Sequence, residues 1–516
     1  VTEYLDLLMF AALMAAVLSG FPVAFSIAGT AIAFAFLGWS LGVMNISLLG
    51  AMSQRIYGLL TNGVLIAIPL FVLMGAVLEK SRIAEDMLDT MGRSFGSLRG
   101  GLGISVVLVG MLLAASTGIV GATVIAMGMI ALPTMLRSGY DPRLAAGIVC
   151  ASGTLGQIIP PSTLLIILSD VVSNAYQQAQ YEQGKFAIDT ISVGQIFAAA
   201  LLPGLTMVVL YILYILIRGG LRPADVPVLK DADVRLPLSE TLSAILPAIL
   251  LILAVLGAIL SGVASPTEAA SVGGLGAILM AAIKIGKSRK FLLLGTTCLV
   301  LLAMGASLYP VRLQRSDLSA LDYVMGGGYM ALTLIGAVAI LLAVKRLITQ
   351  KTLQPALNST LTMTSMIFAT ILAAGIFSLV FIGLGGEERV HEVLSDLPGG
   401  PTGALLFCML FIFFLGFFLD FVEITVIVLP LVMPTLILMG HDPVWLSVLI
   451  AINLQTSFLT PPFGFSLFYL RGVAPKELST GQIYAGVAPF ILIQILAVTV
   501  IWFLPEIATL LPELLF

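Results

Sequence analysis

Polar residues are so sparse along this chain that they act as punctuation between apolar runs. Runs of about 20 apolar residues, the length that spans a ~30 Å hydrocarbon core, follow one another from end to end. Bounded by charges, Gly and Pro, they predict twelve crossings, near 4–19, 22–38, 61–79, 144–172, 193–217, 241–262, 266–283, 291–311, 326–344, 357–383, 444–470 and 483–504. Residues 43–60 read as a helix lying along the interface, with Gln54 and Arg55 on its polar side. The charged segment 79–99 alternates signs at helical spacing and reads as a second interfacial helix.

Two more apolar stretches, 102–136 and 402–439, are each interrupted by polar residues near the middle. The first breaks at Ser116, Thr117 and Gly118, the second between Asp420 and Glu423. Each half is too short to span comfortably with a solvated turn, so both stretches read as re-entrant hairpins. Polar backbone at membrane depth is tolerated only where protein or a water-filled cavity surrounds it.

Composition supports the membrane reading. Of 516 residues 59% are apolar and 10% charged, where soluble domains carry about 25% charged residues. With re-entrant hairpins, the 24 basic residues divide 19 to 5 between the two faces, and Arg55, Lys185, Arg312, Arg315 and Arg389 form the minority. The positive-inside rule makes the first face cytoplasmic, which puts both termini outside, opens the first hairpin to the cytoplasm and opens the second to the exterior. Turning one hairpin into two full crossings preserves parity, so the charge bias does not by itself prove re-entrance. A net charge of −3 gives no reason to expect nucleic acid. Cys150, Cys298 and Cys408 lie inside apolar runs at no metal-binding spacing and read as small buried hydrophobes. The opening segment carries Glu3 and Asp6, lacks a basic stretch, and is expected to span rather than be cleaved. With no soluble segment long enough to fold alone, any aqueous solute receptor is expected to be another chain.

An internal repeat organises the map. Pro133-Thr134, Gly139, Asp141-Pro142, Ser152 to Gly156 and Pro160-Pro161 are matched, 301 positions later and without a gap, by Pro434-Thr435, Gly440, Asp442-Pro443, Asn453 to Ser457 and Pro461-Pro462. Earlier in the halves the displacement is 244, from Pro22 and Gly29 to Pro266 and Gly273, so the second half holds an insertion of 301 − 244 = 57 residues, placed at 291–345. Seven crossings separate the hairpins, an odd number, so the two copies face opposite ways. Inverted repeats with paired interrupted elements are the architecture of secondary transporters, with the site at the repeat interface near the midplane.

The interruptions carry the candidate chemistry. Pro160 and Pro161 each remove a backbone donor, and Gly153 and Gly156 are weak helix formers, so the crossing should unwind there. Unwinding frees carbonyl oxygens beside the Ser152 and Thr154 hydroxyls, and such neutral oxygens suit a hard cation such as Na⁺. The second copy offers Asn453, Thr456, Ser457 and Thr460 beside Pro461 and Pro462. A proline kink that only shapes packing is the alternative for either copy taken singly. Ser116, Thr117 and Gly118 on one tip, with Asp420 and Glu423 on the other, are the natural partners of these breaks. An intramembrane carboxylate defaults to a functional role; Asp420 can also cap the second hairpin arm, and the two roles are compatible. Residues 285–288 resemble the end of a phosphate-binding loop, but Ala281 stands where its glycine is needed, and the stretch reads as a cytoplasmic anchor. His391 and His441 fall in expected outer loops. No nucleophile–base set marks an enzyme, and paired hairpins from opposite faces suit alternating access better than a continuous pore.

The runs from Thr117 to Thr123, Gly139 to Pro142, Ala151 to Ser162, Gly416 to Glu423 and Asn453 to Gly464 resemble the large membrane subunit of tripartite ATP-independent periplasmic (TRAP) transporters. The resemblance implies an all-α elevator-type transporter of the bacterial inner membrane, coupled to Na⁺ and using no ATP. It also implies a small four-helix membrane subunit, a periplasmic substrate-binding protein, and organic-acid solutes such as dicarboxylates, sialic acids and 2-oxo acids. Carried over by position, it puts Na⁺ at Ser116 and Gly118 with Ser152 and Thr154, and at Asp420 with Asn453, Thr456 and Thr460. The insertion at 291–345 and an outer loop at 173–192 depart from the shortest family members, and no basic side chain stands at the midplane to meet a carboxylate. A stand-alone cation–solute symporter of related fold is the competing reading. The expected organisation is first-repeat scaffold 1–100, first transport unit 101–192, connecting helix and cytoplasmic loop 193–240, second-repeat scaffold 241–400, second transport unit 401–482 and a C-terminal helix 483–516.

Overall fold

The computed structural model describes residues 4–95, 98–228, 238–285, 289–311 and 319–516. Residues 286–288 of the anchor, Lys230 and Arg235 of the cytoplasmic loop, and Arg312 and Arg315 in the insertion lie outside the described residues. The chain is all-helical among the described residues.

Helices Leu5–Leu18, Val23–Ser40 and Ala67–Lys80 come first, with Met52–Thr61 and Ile83–Ser94 lying between and after them. The first hairpin (Gly101–Thr117 and Val120–Arg137) leads into the first broken helix (Pro142–Thr154 and Thr163–Glu182) and then Val193–Leu221. Leu238–Leu260, Pro266–Ile285, Arg289–Leu308, Ala320–Thr349 and Leu353–Gly383 lead to the second hairpin (Gly400–Leu415 and Phe421–Leu438). The second broken helix (Pro443–Leu459 and Phe465–Val473) precedes Thr480–Phe503. Within the second hairpin's returning arm, Ile424–Val428 widens into a π-helical stretch just ahead of Pro430, whose ring nitrogen has no hydrogen to donate back along the helix.

Several boundaries differ from the sequence expectation. The crossing expected at 61–79 begins at Ala67; Thr61 closes the interfacial helix, and Asn62 Oδ1 accepts from Val64 N at 2.9 Å to turn the chain. The outer loop expected at 173–192 is helix as far as Glu182, because Gln177, Gln178 and Gln180 end the apolar run without ending the helix. The second hairpin turns over 416–420, not 420–423, and Glu423 already lies inside the returning arm. Gly386–Ser395 and Glu506–Leu515 are short amphipathic helices that no apolar run announces. Ten of the described helices are long and apolar enough to cross a bilayer. Two of these, Val120–Arg137 and Phe421–Leu438, are hairpin arms; no piece of either broken helix is among them, Thr163–Glu182 being long enough but too polar and the other three pieces too short.

Each hairpin's returning arm packs on the distal piece of the other repeat's broken helix: Val120–Arg137 on Phe465–Val473, and Phe421–Leu438 on Thr163–Glu182. The two copies are thereby interlocked. Both helices that follow the broken elements open with the same Ser-x-Gly-Gln capping box, at Ser192 with Gln195 and at Ser479 with Gln482, each satisfying two first-turn donors. Polar contacts also join residues that the charge count assigned to one side. Lys284 pairs with Asp86 at 2.7 Å and Asp141 N donates to Asp225 O at 3.0 Å on the basic-rich face. Arg389 pairs with the fully buried Asp6, and Gln178 donates to Glu387, on the opposite face.

Candidate functional site

Asp141 starts the first broken helix by accepting from Arg143 N and Leu144 N, and Pro142 occupies the first position, where a missing N–H is harmless. The helix ends at Thr154, tightens into a 3₁₀ turn over Leu155–Gln157, and resumes at Thr163 after a fully buried break. In the second copy the break runs from Thr460, which is extended at φ −86° and ψ 124°, to Gly464. Pro160-Pro161 and Pro461-Pro462 are both cis. Ser162 Oγ donates to Gln157 O at 2.9 Å, and Ser466 Oγ donates to Phe458 O at 2.8 Å. Gln157 and Phe458 are 301 apart, so the same carbonyl is tied back in each half.

The first hairpin meets its broken helix through small residues. A Cβ on Gly110 would stand 2.7 Å from Ser152 Cβ, and one on Gly156 would stand 2.9 Å from Ala114 Cβ. Gly153 faces Val124 on the returning arm. At the tip, Gly118 takes a left-handed turn (φ 62°), and a Cβ there would come within 2.5 Å of Thr163 Oγ1. The tip therefore abuts the start of Thr163–Glu182, while Ser152 lies about two turns down the arm, opposite Gly110 rather than the tip. Ser116 and Thr117 are buried under Gly75 of Ala67–Lys80, Ser116 Oγ donates to Leu113 O, and Thr117 Oγ1 shares a 2.8 Å hydrogen bond with Thr123 Oγ1.

The second hairpin repeats the approach: Gly416 on the hairpin faces Ser457 on the broken helix, as Gly110 faces Ser152 in the first copy. Asp420 caps the returning arm, accepting from Phe421 N at 2.8 Å, while Glu423 Oε2 accepts from Asp420 N at 2.7 Å. Phe417 and Phe418 pack on Phe463, and Phe421 packs on Phe458, joining tip and break through rings. Asn453 Nδ2 donates to Met409 O at 2.7 Å, well below the tip; Thr456 donates to Ile452 O, and Thr460 to Thr456 O.

The half-helices that lead into the two breaks meet. Gln455 Nε2 donates to Thr154 Oγ1 at 3.3 Å, both side chains being fully buried. These residues are 301 apart, the repeat displacement itself, so the contact marks the pseudo-two-fold axis. Sequence reasoning missed Gln455, Gln157 and Thr163. Gln157 is fully buried with neither amide atom hydrogen-bonded, and Thr163 Oγ1 is buried and unpartnered. A polar residue beside a Pro-Pro break was the available signal.

Crevices open from each face beside the hairpins. The larger, about 1160 Å³, lies on the basic-rich face between Lys80, Lys284 and the first hairpin's Ile130, Thr134 and Arg137. The smaller, about 500 Å³, lies on the other face against Leu431, Thr435 and Leu438, the positions equivalent to those three. The chain matches the profile described as "Tripartite ATP-independent periplasmic transporter, DctM component" over residues 8–310 and 324–507.

The chain belongs to this DctM component family.

The family's relatives show how widely solutes vary at similar likeness. The DctM-family chain is 28% identical to the C4-dicarboxylate TRAP transporter large permease protein DctM of Vibrio cholerae, over 98% of this chain and 97% of that protein. It is 24% identical to the ectoine TRAP transporter large permease protein TeaC of Halomonas elongata, over 99% of each. The crystal structure of the Alcanivorax borkumensis YdaH transporter superposes with a TM-score of 0.54 at 15% identity, covering 90% of this chain and 87% of that one, a likeness of fold. The DctM-family chain is thus a multi-pass membrane transporter subunit, and its relatives are permeases, not enzymes.

Proposed function

We propose that this DctM-family chain imports a small organic acid across the bacterial inner membrane, drawing on the Na⁺ gradient and using no ATP. The solute arrives on a periplasmic binding protein, and a small four-helix membrane subunit completes the permease. The hairpins and broken helices move together against the scaffold in an elevator stroke, with both termini on the periplasmic side. The Gln455–Thr154 contact is the observation that carries the reading: two oppositely facing copies bring together, in the core, the half-helices that lead into their breaks, where one site can serve both faces. The equivalent crevices on the two faces support alternating access.

Na⁺ sits at the carbonyl ends of the two proximal half-helices, where the helix dipoles are negative. Ser152, Thr154 and the backbone of Gly153 and Gly156 serve the first position. Asn453, Thr456, Ser457 and Thr460, with Asp420 and Glu423 across the hairpin tip, serve the second. Pro160, Pro161, Pro461 and Pro462 keep the breaks open. Uptake by proteoliposomes holding both membrane subunits tests this. Uptake that needs an inward Na⁺ gradient and the cognate binding protein is expected. Uptake without added binding protein would point to the stand-alone symporter, and uptake indifferent to Na⁺ would remove the coupling.

A further inference from the structure

The first break has an amide end as well as a carbonyl end, and its side chains differ from those of its twin. Thr163–Glu182 is a 20-residue helix whose first turn is buried and capped by no side chain, since Ser162 Oγ is engaged with Gln157 O. Thr163 Oγ1, on that first turn, is fully buried, has no hydrogen-bond partner and faces Gly118 of the hairpin tip. Gln157, held beside Ser162 by the same hydrogen bond, is fully buried with both amide atoms unpartnered. At the equivalent positions of the second break, 301 residues on, Gln157, Ser162 and Thr163 are replaced by Phe458, Phe463 and Gly464. The polar set belongs to one copy only.

We propose that the carboxylate of the transported solute binds at the start of Thr163–Glu182, held by the Thr163 hydroxyl, the Gln157 amide and the helix's first backbone N–H groups beneath Gly118. A helix N-terminus carries about half a positive charge and free donors, which favour an anion and disfavour a cation. This answers the want of a midplane basic side chain without adding one. It rests on the organic-acid reading above and sharpens it. The break offers opposite ends to opposite charges: cation at Thr154, anion at Thr163, nine residues apart in sequence. Each charge stabilises the other, a direct route to coupling.

The test reads the local potential and needs no identified solute. In the assembled transporter with Cys150, Cys298 and Cys408 replaced by Ala, Thr163→Cys is reacted with an anionic (sulfonatoethyl) and a cationic (trimethylammonioethyl) methanethiosulfonate. Relative to a free thiol in solution, the anionic reagent is expected to gain about tenfold over the cationic one. Adding Gln157→Leu should cut that preference severalfold. Ser162→Cys gives a second reading if Thr163→Cys assembles poorly. A ratio equal to that of the free thiol, a cationic preference, or no reaction with either reagent overturns the proposal. Failure of the organic-acid reading looks different: wild-type proteoliposomes would take up no carboxylate under a Na⁺ gradient, while the thiol ratio still decides whether an anion site exists.

Discussion

Gly156→Ala is a one-carbon change whose effect follows from two opposed contacts. The added Cβ would stand 2.9 Å from Ala114 Cβ, 2.9 Å from Ala114 O and 3.0 Å from Ala114 Cα. Carbon–carbon contacts settle at about 3.5–4.0 Å, so the hairpin arm would have to retreat by roughly 0.5–1 Å. It has little room to do so, because on its far side Gly75 lies so close that a Cβ there would be 2.6 Å from Ser116 O. Overpacking of this kind costs about 1–3 kcal/mol, and a displacement of about 1 Å at a binding constellation lowers turnover by roughly 100-fold. The expected outcome is therefore a modest fall in Tm in detergent with a near-complete loss of proteoliposome uptake. Ala114→Gly in the same chain should restore part of the uptake by removing one of the clashing atoms. Gly29→Ala is the control: nothing lies within 4 Å of its Cβ position, and replacing a helix-interior glycine should stabilise by about 0.5–1 kcal/mol. Wild-type uptake by Gly156→Ala would refute the claim that the tip and the break must touch.

Asp420→Asn keeps a capping side chain, so stability should hold within about 1 kcal/mol while uptake falls; wild-type uptake rates would remove Asp420 from the site. Ser152→Ala should raise the Na⁺ concentration for half-maximal uptake, and an unchanged activation curve would count against the carbonyl-end position. Cysteines introduced as Ser138→Cys and Asp442→Cys should label only from the cytoplasm and only from the periplasm respectively, the reverse pattern inverting the orientation. Arg389→Met leaves the fully buried Asp6 carboxylate without that cation. It should destabilise by about 3–5 kcal/mol, most of it recovered when Asp6→Asn is added, as thermal unfolding would show.

What the sequence reveals here is chiefly what the backbone cannot avoid. Pro160-Pro161 and Pro461-Pro462 forbid a continuous helix, Asp141-Pro142 and Asp442-Pro443 start one, and their constant spacing exposes the repeat. Charge at the ends of apolar runs then orders the faces. Boundaries set by weaker preferences are less visible: glutamines carry a helix on to Glu182 in a stretch too polar to announce it, and the amphipathic Gly386–Ser395 interrupts no apolar run. The site was legible as a neighbourhood and not as a set of pairs. The family resemblance sets Gly118 with Ser152, yet Gly118 lies against Thr163 and Ser152 lies opposite Gly110, about two turns down the arm. Gln157 escaped notice because only burial without a partner makes it unusual.

Thr154 and Gln455 touch on the axis where a two-fold object meets itself. In a true symmetric dimer that pair would have to be identical, Thr with Thr or Gln with Gln, and each half of the contact would be bound to copy the other. Covalent fusion lifts the requirement. Here an amide donates and a hydroxyl accepts, so the sequence itself fixes the direction of the bond on that axis, where two identical side chains would leave it free to run either way.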